Sequence, residues 1–105
     1  MPDDIAVLMA KVERLLAMLE PLAQQGNESA ELFADGVRHR LDRLRKAIES
    51  GDSDRLINIL LDIVPNAKDL DAIDFRIDLH PEMRELRSEI EAGGAWIATP
   101  LIDAL

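Results

Sequence analysis

The first helix is predicted by apolar positions that recur every three or four residues, the spacing of one helix face. These positions are Ile5, Leu8, Val12, Leu15, Leu19 and Leu22, with Met9 and Leu16 widening the stripe. Asp3 stands where an N-cap residue would accept hydrogen bonds from the first free N–H groups. Pro21 lacks an N–H and crowds the preceding turn, so it predicts a kink near Glu20. Because the stripe continues to Leu22, a kink in one helix is favoured over the start of a separate helix.

A second and a third helix follow, each bounded by glycine and short polar residues. The sequence Gln-Gln-Gly-Asn predicts a stop and a new N-cap, and the second helix is expected to run to about Ser50. Its apolar stripe is Phe33, Val37, Leu41, Leu44 and Ile48. Gly51, followed by Asp52 or Ser53 as the next N-cap, predicts a tight connection to a third helix over about residues 54–64. That segment is apolar on most sides, so we expect it to be the most buried helix.

The fourth helix is predicted to start at His80-Pro81-Glu82, because proline suits a first helical position and acids suit the first turn. Its apolar stripe is Leu79, Met83, Leu86 and Ile90. The glycine pair at positions 93 and 94 indicates the end of this helix.

The tail after the glycine pair is too apolar for a solvated terminus, since eight of its eleven residues are apolar. Thr99-Pro100 can start one last helical turn within it. The favoured interpretation is that the tail covers the end of the core, and the alternative is an exposed patch that binds a partner or a second copy. The candidate partner-binding residues of the tail are Trp96, Ile97, Leu101 and Ile102.

Residues 73–79 alternate strictly between apolar and polar side chains, which is the period of a half-buried strand. No second strand is evident to pair with it, so an extended covering segment near residues 70–79 is favoured and a strand is the alternative. The sequence therefore predicts a single all-α domain over residues 1–105. Its architecture is a four-helix bundle-like fold with a kinked first helix, this extended segment and an apolar C-terminal tail.

Composition narrows the class of protein. The 48% hydrophobic content excludes disorder of the whole chain. Because the chain has only three aromatic residues, its core must be mainly aliphatic, which suits packed helices. The absence of cysteine excludes disulfides and cysteine-based zinc sites, and it makes the cytoplasm the expected location. The start of the chain does not resemble a signal peptide, and no segment approaches the ~20 apolar residues of a membrane span.

Charge is segregated along this acidic chain of net charge −9. Residues 1–36 and 62–105 carry net charges of −5 and −6, whereas residues 37–61 carry +2. Five of the twelve Lys and Arg residues lie within residues 38–46, which we call the basic belt. The favoured interpretation is pairing of the belt within the fold, and an acidic protein partner that binds Arg38, Arg40 and Arg43 is the alternative. We do not expect nucleic acid to bind, because the overall charge repels it and no aromatic residue lies within the belt to stack bases.

One acidic pattern resembles a known enzyme family. Glu28-x-x-Glu31 and Glu49-x-x-Asp52 are similar to the Glu-x-x-Glu and Glu-x-x-Asp pairs of the all-helical MazG-type nucleotide pyrophosphatases. The resemblance covers residues 28–64 and implies magnesium held by four carboxylates on two facing helices. The chain departs from that pattern at Ser50-Gly51, which is predicted to end a helix between Glu49 and Asp52.

The favoured function is a non-enzymatic, regulatory protein–protein interaction module, such as an adaptor, an inhibitor or an antitoxin-like neutraliser. It would use the charge-segregated helical surface and the apolar tail, with no cofactor, no metal and no membrane partner. A homodimer is expected, because the first helix carries an apolar stripe over nearly three heptads. The alternative function is a MazG-like, magnesium-dependent nucleoside triphosphate pyrophosphatase.

Overall fold

The structure is a computed structural model that describes residues 2–63 and 80–104, and these residues form four α-helices. The helices are α1 (Pro2–Gln24), α2 (Glu28–Ser50), α3 (Ser53–Leu61) and α4 (His80–Asp103). The described residues contain no strand, so the predicted all-α, bundle-like fold is confirmed. The predicted extended segment near residues 70–79, with its alternative strand over 73–79, lies outside the described residues.

The first helix and its exit follow the local sequence closely. α1 begins at Pro2, so the predicted N-cap at Asp3 is wrong; proline fits the first turn because no N–H is needed there. The helix continues through Pro21 to Gln24. Gly26 then takes a φ of 91°, and the Oδ1 atom of Asn27 accepts a hydrogen bond from the Ala30 N–H at 3.0 Å. The predicted stop and cap between the first two helices are confirmed.

The connection from α2 to α3 has the same two features, a glycine with positive φ and an N-cap side chain. Gly51 takes a φ of 68° and donates its N–H to the carbonyl oxygens of Ala47 and Ile48 at 3.0 and 3.3 Å. Asp52 is the N-cap of α3, and its Oδ1 atom accepts a hydrogen bond from the Arg55 N–H at 3.1 Å. The tight connection that the sequence predicts is therefore formed within two residues.

Each helix packs against two others, in the pairs α1–α2, α2–α3, α3–α4 and α4–α1. This order makes a four-sided bundle in which the α1–α4 side and the α2–α3 side face opposite directions. The side chains that α1, α2 and α4 bury most fully are aliphatic, apart from Phe33, and follow the predicted stripes. They include Leu8, Val12, Leu15, Leu19, Phe33, Val37, Leu41, Leu44, Met83, Leu86 and Ile90. Ile48 is an exception, because it is 40% exposed and Ala47 is buried beside it.

The predicted end of the fourth helix at Gly93-Gly94 is wrong, because α4 continues to Asp103. The two glycines serve packing instead. A Cβ added to Gly94 would overlap the carbonyl oxygen of Leu60, so only glycine lets α4 lie this close to the backbone of α3. A Cβ on Gly93 would lie 3.3 Å from the Leu8 Cδ1 atom of α1. The predicted C-terminal tail is therefore the last part of α4 rather than a separate segment.

Within the described part of the chain, no helix has both the length and the apolar composition to cross a membrane.

Candidate interaction surfaces

The candidate residues of the predicted tail fall on two sides of α4. Ile97 is 2% exposed and belongs to the core, and Leu101 packs partly against the core. Trp96 is 74% exposed, and Ile102 is also exposed. Successive residues of a helix lie about 100° apart, so a continuous apolar run must present some of its side chains to solvent unless a partner covers them.

Trp96 shares a groove between α1 and α4 with a second exposed apolar residue, Val7, which is 55% exposed. The floor of the groove is formed by Leu8, Gly93 and Ile97, and its volume is about 160 Å³. We call these five residues the α1–α4 apolar surface. Sequence analysis missed Val7, although an apolar residue off the buried stripe of α1 is the signal that could have found it.

Three charged residues border the apolar surface: Asp4 and Lys11 on α1, and Glu89 on α4. Asp4 is exposed and Lys11 is half-buried. Neither residue forms an ion pair within residues 2–63 and 80–104. Neither charge is therefore held in an ion pair with a described residue.

A second groove continues along the same side of the bundle and is acidic. It is lined by Arg14 and Met18 of α1 and by Glu82, Glu85, Leu86 and Glu89 of α4, with a volume of about 280 Å³. The three glutamates lie three or four residues apart on one face of α4. The α1–α4 side thus has an apolar end near Trp96 and an acidic end near Glu82.

The basic belt is used largely inside the fold. Arg38 pairs with Asp35 at 2.9 Å and with Glu20 of α1 at 3.4 Å. Arg45 pairs with Glu13 of α1 at 2.8 Å, and Lys46 pairs with Asp42 at 3.0 Å. Arg38 and Arg45 therefore join α2 to α1.

Arg40 and Arg43, both predicted to bind a partner, have different surroundings. Arg40 donates from Nε to the Asp62 carbonyl oxygen at 2.9 Å and from Nη1 to the Gly36 carbonyl oxygen at 3.2 Å. Its side chain is 26% exposed, and its Nε atom lies 3.7 Å from the Asp62 carboxylate. Arg43 and His39 are exposed and form no ion pair with a described residue. These two side chains are the part of the belt that is available to a partner.

The carboxylates of the MazG-like pattern do not meet within the chain. Glu28 and Glu31 lie in the first turn of α2, whereas Glu49 lies at its last turn. The 18 residues from Glu31 to Glu49 correspond to about 27 Å along the helix axis. Asp52 caps α3 with its carboxylate. No group of three or more His, Asp or Glu side chains among the described residues is arranged to hold a metal ion.

Comparison of the chain with protein-family models, with curated proteins and with solved structures finds no match. Functional inference for this chain therefore rests on its own surfaces.

Proposed function

We propose that this chain is a non-enzymatic protein–protein interaction domain that binds its partner through the α1–α4 apolar surface. The observation that carries the proposal is the joint exposure of Trp96 and Val7 in one groove. Scattered single apolar residues are normal on protein surfaces, but an adjacent pair that includes tryptophan is typical of an interaction site.

Trp96 is the residue of this surface that can contribute most to binding energy. A tryptophan side chain can bury about 150–250 Å² when it is covered, and tryptophan is enriched among residues that dominate binding energy. The helix backbone at Trp96 is held in place, because its neighbour Ile97 is buried in the core. Little conformational entropy of the backbone at this surface would therefore be lost when a partner binds.

The size of the groove favours a protein side chain over a small molecule. Its volume of about 160 Å³ is below the roughly 300–1,000 Å³ of pockets that enclose drug-sized ligands. An aliphatic or aromatic side chain on a partner helix fits such a shallow site, as in the docking of helices into apolar grooves.

A second surface of the same domain supports the role of an adaptor, an inhibitor or an antitoxin-like neutraliser. Arg43 and His39 project from α2, whose neighbours in the bundle are α1 and α3. An arginine such as Arg43, which forms no ion pair with a described residue, can bind a carboxylate on an acidic partner. The two surfaces lie on different sides of the bundle, so a domain of this shape can contact two proteins at once.

The proposal is tested with the immobilised chain, its Trp96→Ala variant and a Leu61→Ala control, each exposed to lysate of the source cells. Leu61 is 55% exposed but lies on α3, outside the apolar surface. We expect at least one protein to be retained by the parent chain and the control but lost from Trp96→Ala. Retention of the same proteins by all three baits would refute the proposed role of this surface.

A further inference from the structure

We propose that the occupant of the α1–α4 apolar surface is a second copy of this chain, bound antiparallel about a two-fold axis near Val7. This inference rests on the proposed function, because it names the partner of the same surface. The evidence is that Asp4 and Lys11, two of the three charged residues that border the groove, have opposite charges and lie on either side of Val7 and Leu8.

Asp4 and Lys11 are placed so that the surface is complementary to itself. Asp4 lies three residues before Val7, and Lys11 lies three residues after Leu8. All four residues line the same groove. A two-fold axis that passes between Val7 and Leu8 brings Asp4 of each copy opposite Lys11 of the other.

Two ion pairs would then flank an apolar centre. The seven residues from Asp4 to Lys11 span about 10 Å along α1, so the two pairs would lie about one helical turn on either side of Val7. Both side chains are free of ion pairs with described residues, and no existing pair must be broken to form them. An apolar centre with polar groups at its edge is the usual anatomy of a protein interface.

Two of the three glutamates at the acidic end of the groove lie away from the proposed two-fold axis. Glu89 lines the same groove as Lys11 and adds one negative charge to the border of each copy. Glu85 and Glu82 lie 11 and 14 residues from Trp96 along α4, which corresponds to about 17 and 21 Å. In an antiparallel dimer centred on Val7, these carboxylates project in opposite directions from the two copies. Separation beyond the Debye length of roughly 10 Å screens their repulsion.

The same dimer would leave the α2–α3 side of both copies exposed. Arg43 and His39 would then be presented twice by one assembly. Two copies of a weak binding surface raise the overall affinity for a partner that can engage both. Dimerisation would therefore support, rather than block, the use of the basic belt.

The test is a charge exchange in the purified chain, measured by sedimentation velocity from about 1 μM to about 1 mM. Asp4→Lys and Lys11→Asp should each weaken the parent dimer at least tenfold, because each variant places like charges opposite each other at both pairs. Mixing the two variants should produce a heterodimer, since lysine at position 4 of one copy then faces aspartate at position 11 of the other. Native mass spectrometry distinguishes the heterodimer from the two homodimers by mass.

The apolar centre is tested in parallel. Trp96→Ala should weaken the dimer at least tenfold, whereas Leu61→Ala should leave the dissociation constant unchanged. At a protein concentration where every chain is monomeric, each variant should still show one cooperative melting transition, since Asp4 and Trp96 are exposed and Lys11 forms no ion pair with a described residue.

The outcomes separate this inference from the proposed function. A parent chain that stays monomeric over the whole range, while Trp96→Ala loses a lysate protein, overturns the second copy and leaves the interaction function standing. A dimer that is indifferent to the charge exchange and to Trp96→Ala overturns this interface. Variants that change neither assembly nor retention of any lysate protein overturn both proposals.

Discussion

Gly94 of α4 lies directly against the backbone of Leu60 in α3, so close that a Cβ on Gly94 would overlap the Leu60 carbonyl oxygen. The carbonyl carbon would lie 3.3 Å from the same Cβ. The backbone of Leu60 cannot move aside as a flexible side chain can, because its residue is itself buried in the core. This contact fixes the distance between α3 and α4.

The first prediction compares alanine at the two neighbouring glycines. Gly94→Ala should lower the free energy of unfolding by about 1–3 kcal/mol, because the added methyl group forces the two helices apart. Gly93→Ala should be neutral or stabilising by up to about 1 kcal/mol, since alanine favours helix and the nearest atom is the flexible end of Leu8. Urea denaturation of both variants measures the difference. Equal effects at the two positions would contradict the assigned contact.

The local features of the fold were predictable because each depends on a few adjacent residues. Gly26 and Gly51 take positive φ values, and Asn27 and Asp52 close hydrogen bonds to residues three positions ahead. These bonds form wherever the rest of the chain lies, so the sequence alone predicts them.

Apart from the N-cap predicted at Asp3, the errors arose where the role of a residue depends on another helix. Gly93 and Gly94 have the composition of a helix end, but their role as a close contact depends on Leu8 and Leu60, which are distant in sequence. Trp96 and Ile97 likewise look equivalent in sequence, and only the position of α4 against its neighbours decides which one is buried. The position of Val7 off the apolar stripe of α1 was visible in the sequence, but its proximity to Trp96 exists only after α1 and α4 have packed.

The second prediction uses Trp96 and Ile97 as a matched pair. Ile97→Ala should lower the free energy of unfolding by about 2–4 kcal/mol, because it removes a buried side chain and leaves a cavity. Trp96→Ala should change it by no more than about 0.5 kcal/mol at a protein concentration where the chain is monomeric. Chemical denaturation of dilute protein gives both values. A large loss of stability in Trp96→Ala would mean that the indole belongs to the core.

The third prediction separates two arginines of the basic belt. Arg40→Ala should cost about 1 kcal/mol of stability, because Arg40 holds the carbonyl oxygens of Asp62 and Gly36. Arg43→Ala should change stability by less than about 0.5 kcal/mol, since Arg43 has no ion pair with a described residue.

Binding should show the opposite order for these two residues. Arg43→Glu should slow association with an acidic partner and weaken the dependence of the rate on salt, because repulsion replaces attraction at the encounter. Surface plasmon resonance at two salt concentrations measures both effects. An Arg43→Glu variant that associates as fast as the parent chain at low salt would show that the basic belt is not part of the binding surface.

The fourth prediction concerns magnesium and the carboxylates that resemble those of the MazG-type enzymes. A magnesium ion binds its oxygen ligands at about 2.1 Å, whereas Glu31 and Glu49 lie about 27 Å apart along α2. One ion cannot bridge the two acidic pairs of a single chain. Magnesium chloride should therefore leave the melting temperature unchanged relative to sodium chloride of equal ionic strength, because only preferential binding to the folded state would raise it.

The control for this prediction is Glu31→Gln, which removes one charge of the pattern and keeps the shape of the side chain. Its melting temperature should respond to magnesium as the parent chain does, and neither protein should release pyrophosphate from nucleoside triphosphates. A magnesium-dependent rise in melting temperature that Glu31→Gln abolishes would show that Glu31 contributes to a magnesium site of the folded protein and would contradict this prediction. Pyrophosphate release in the same samples would then favour the enzymatic alternative over an interaction domain, since a bound magnesium ion supplies the charge stabilisation that phosphoryl chemistry needs.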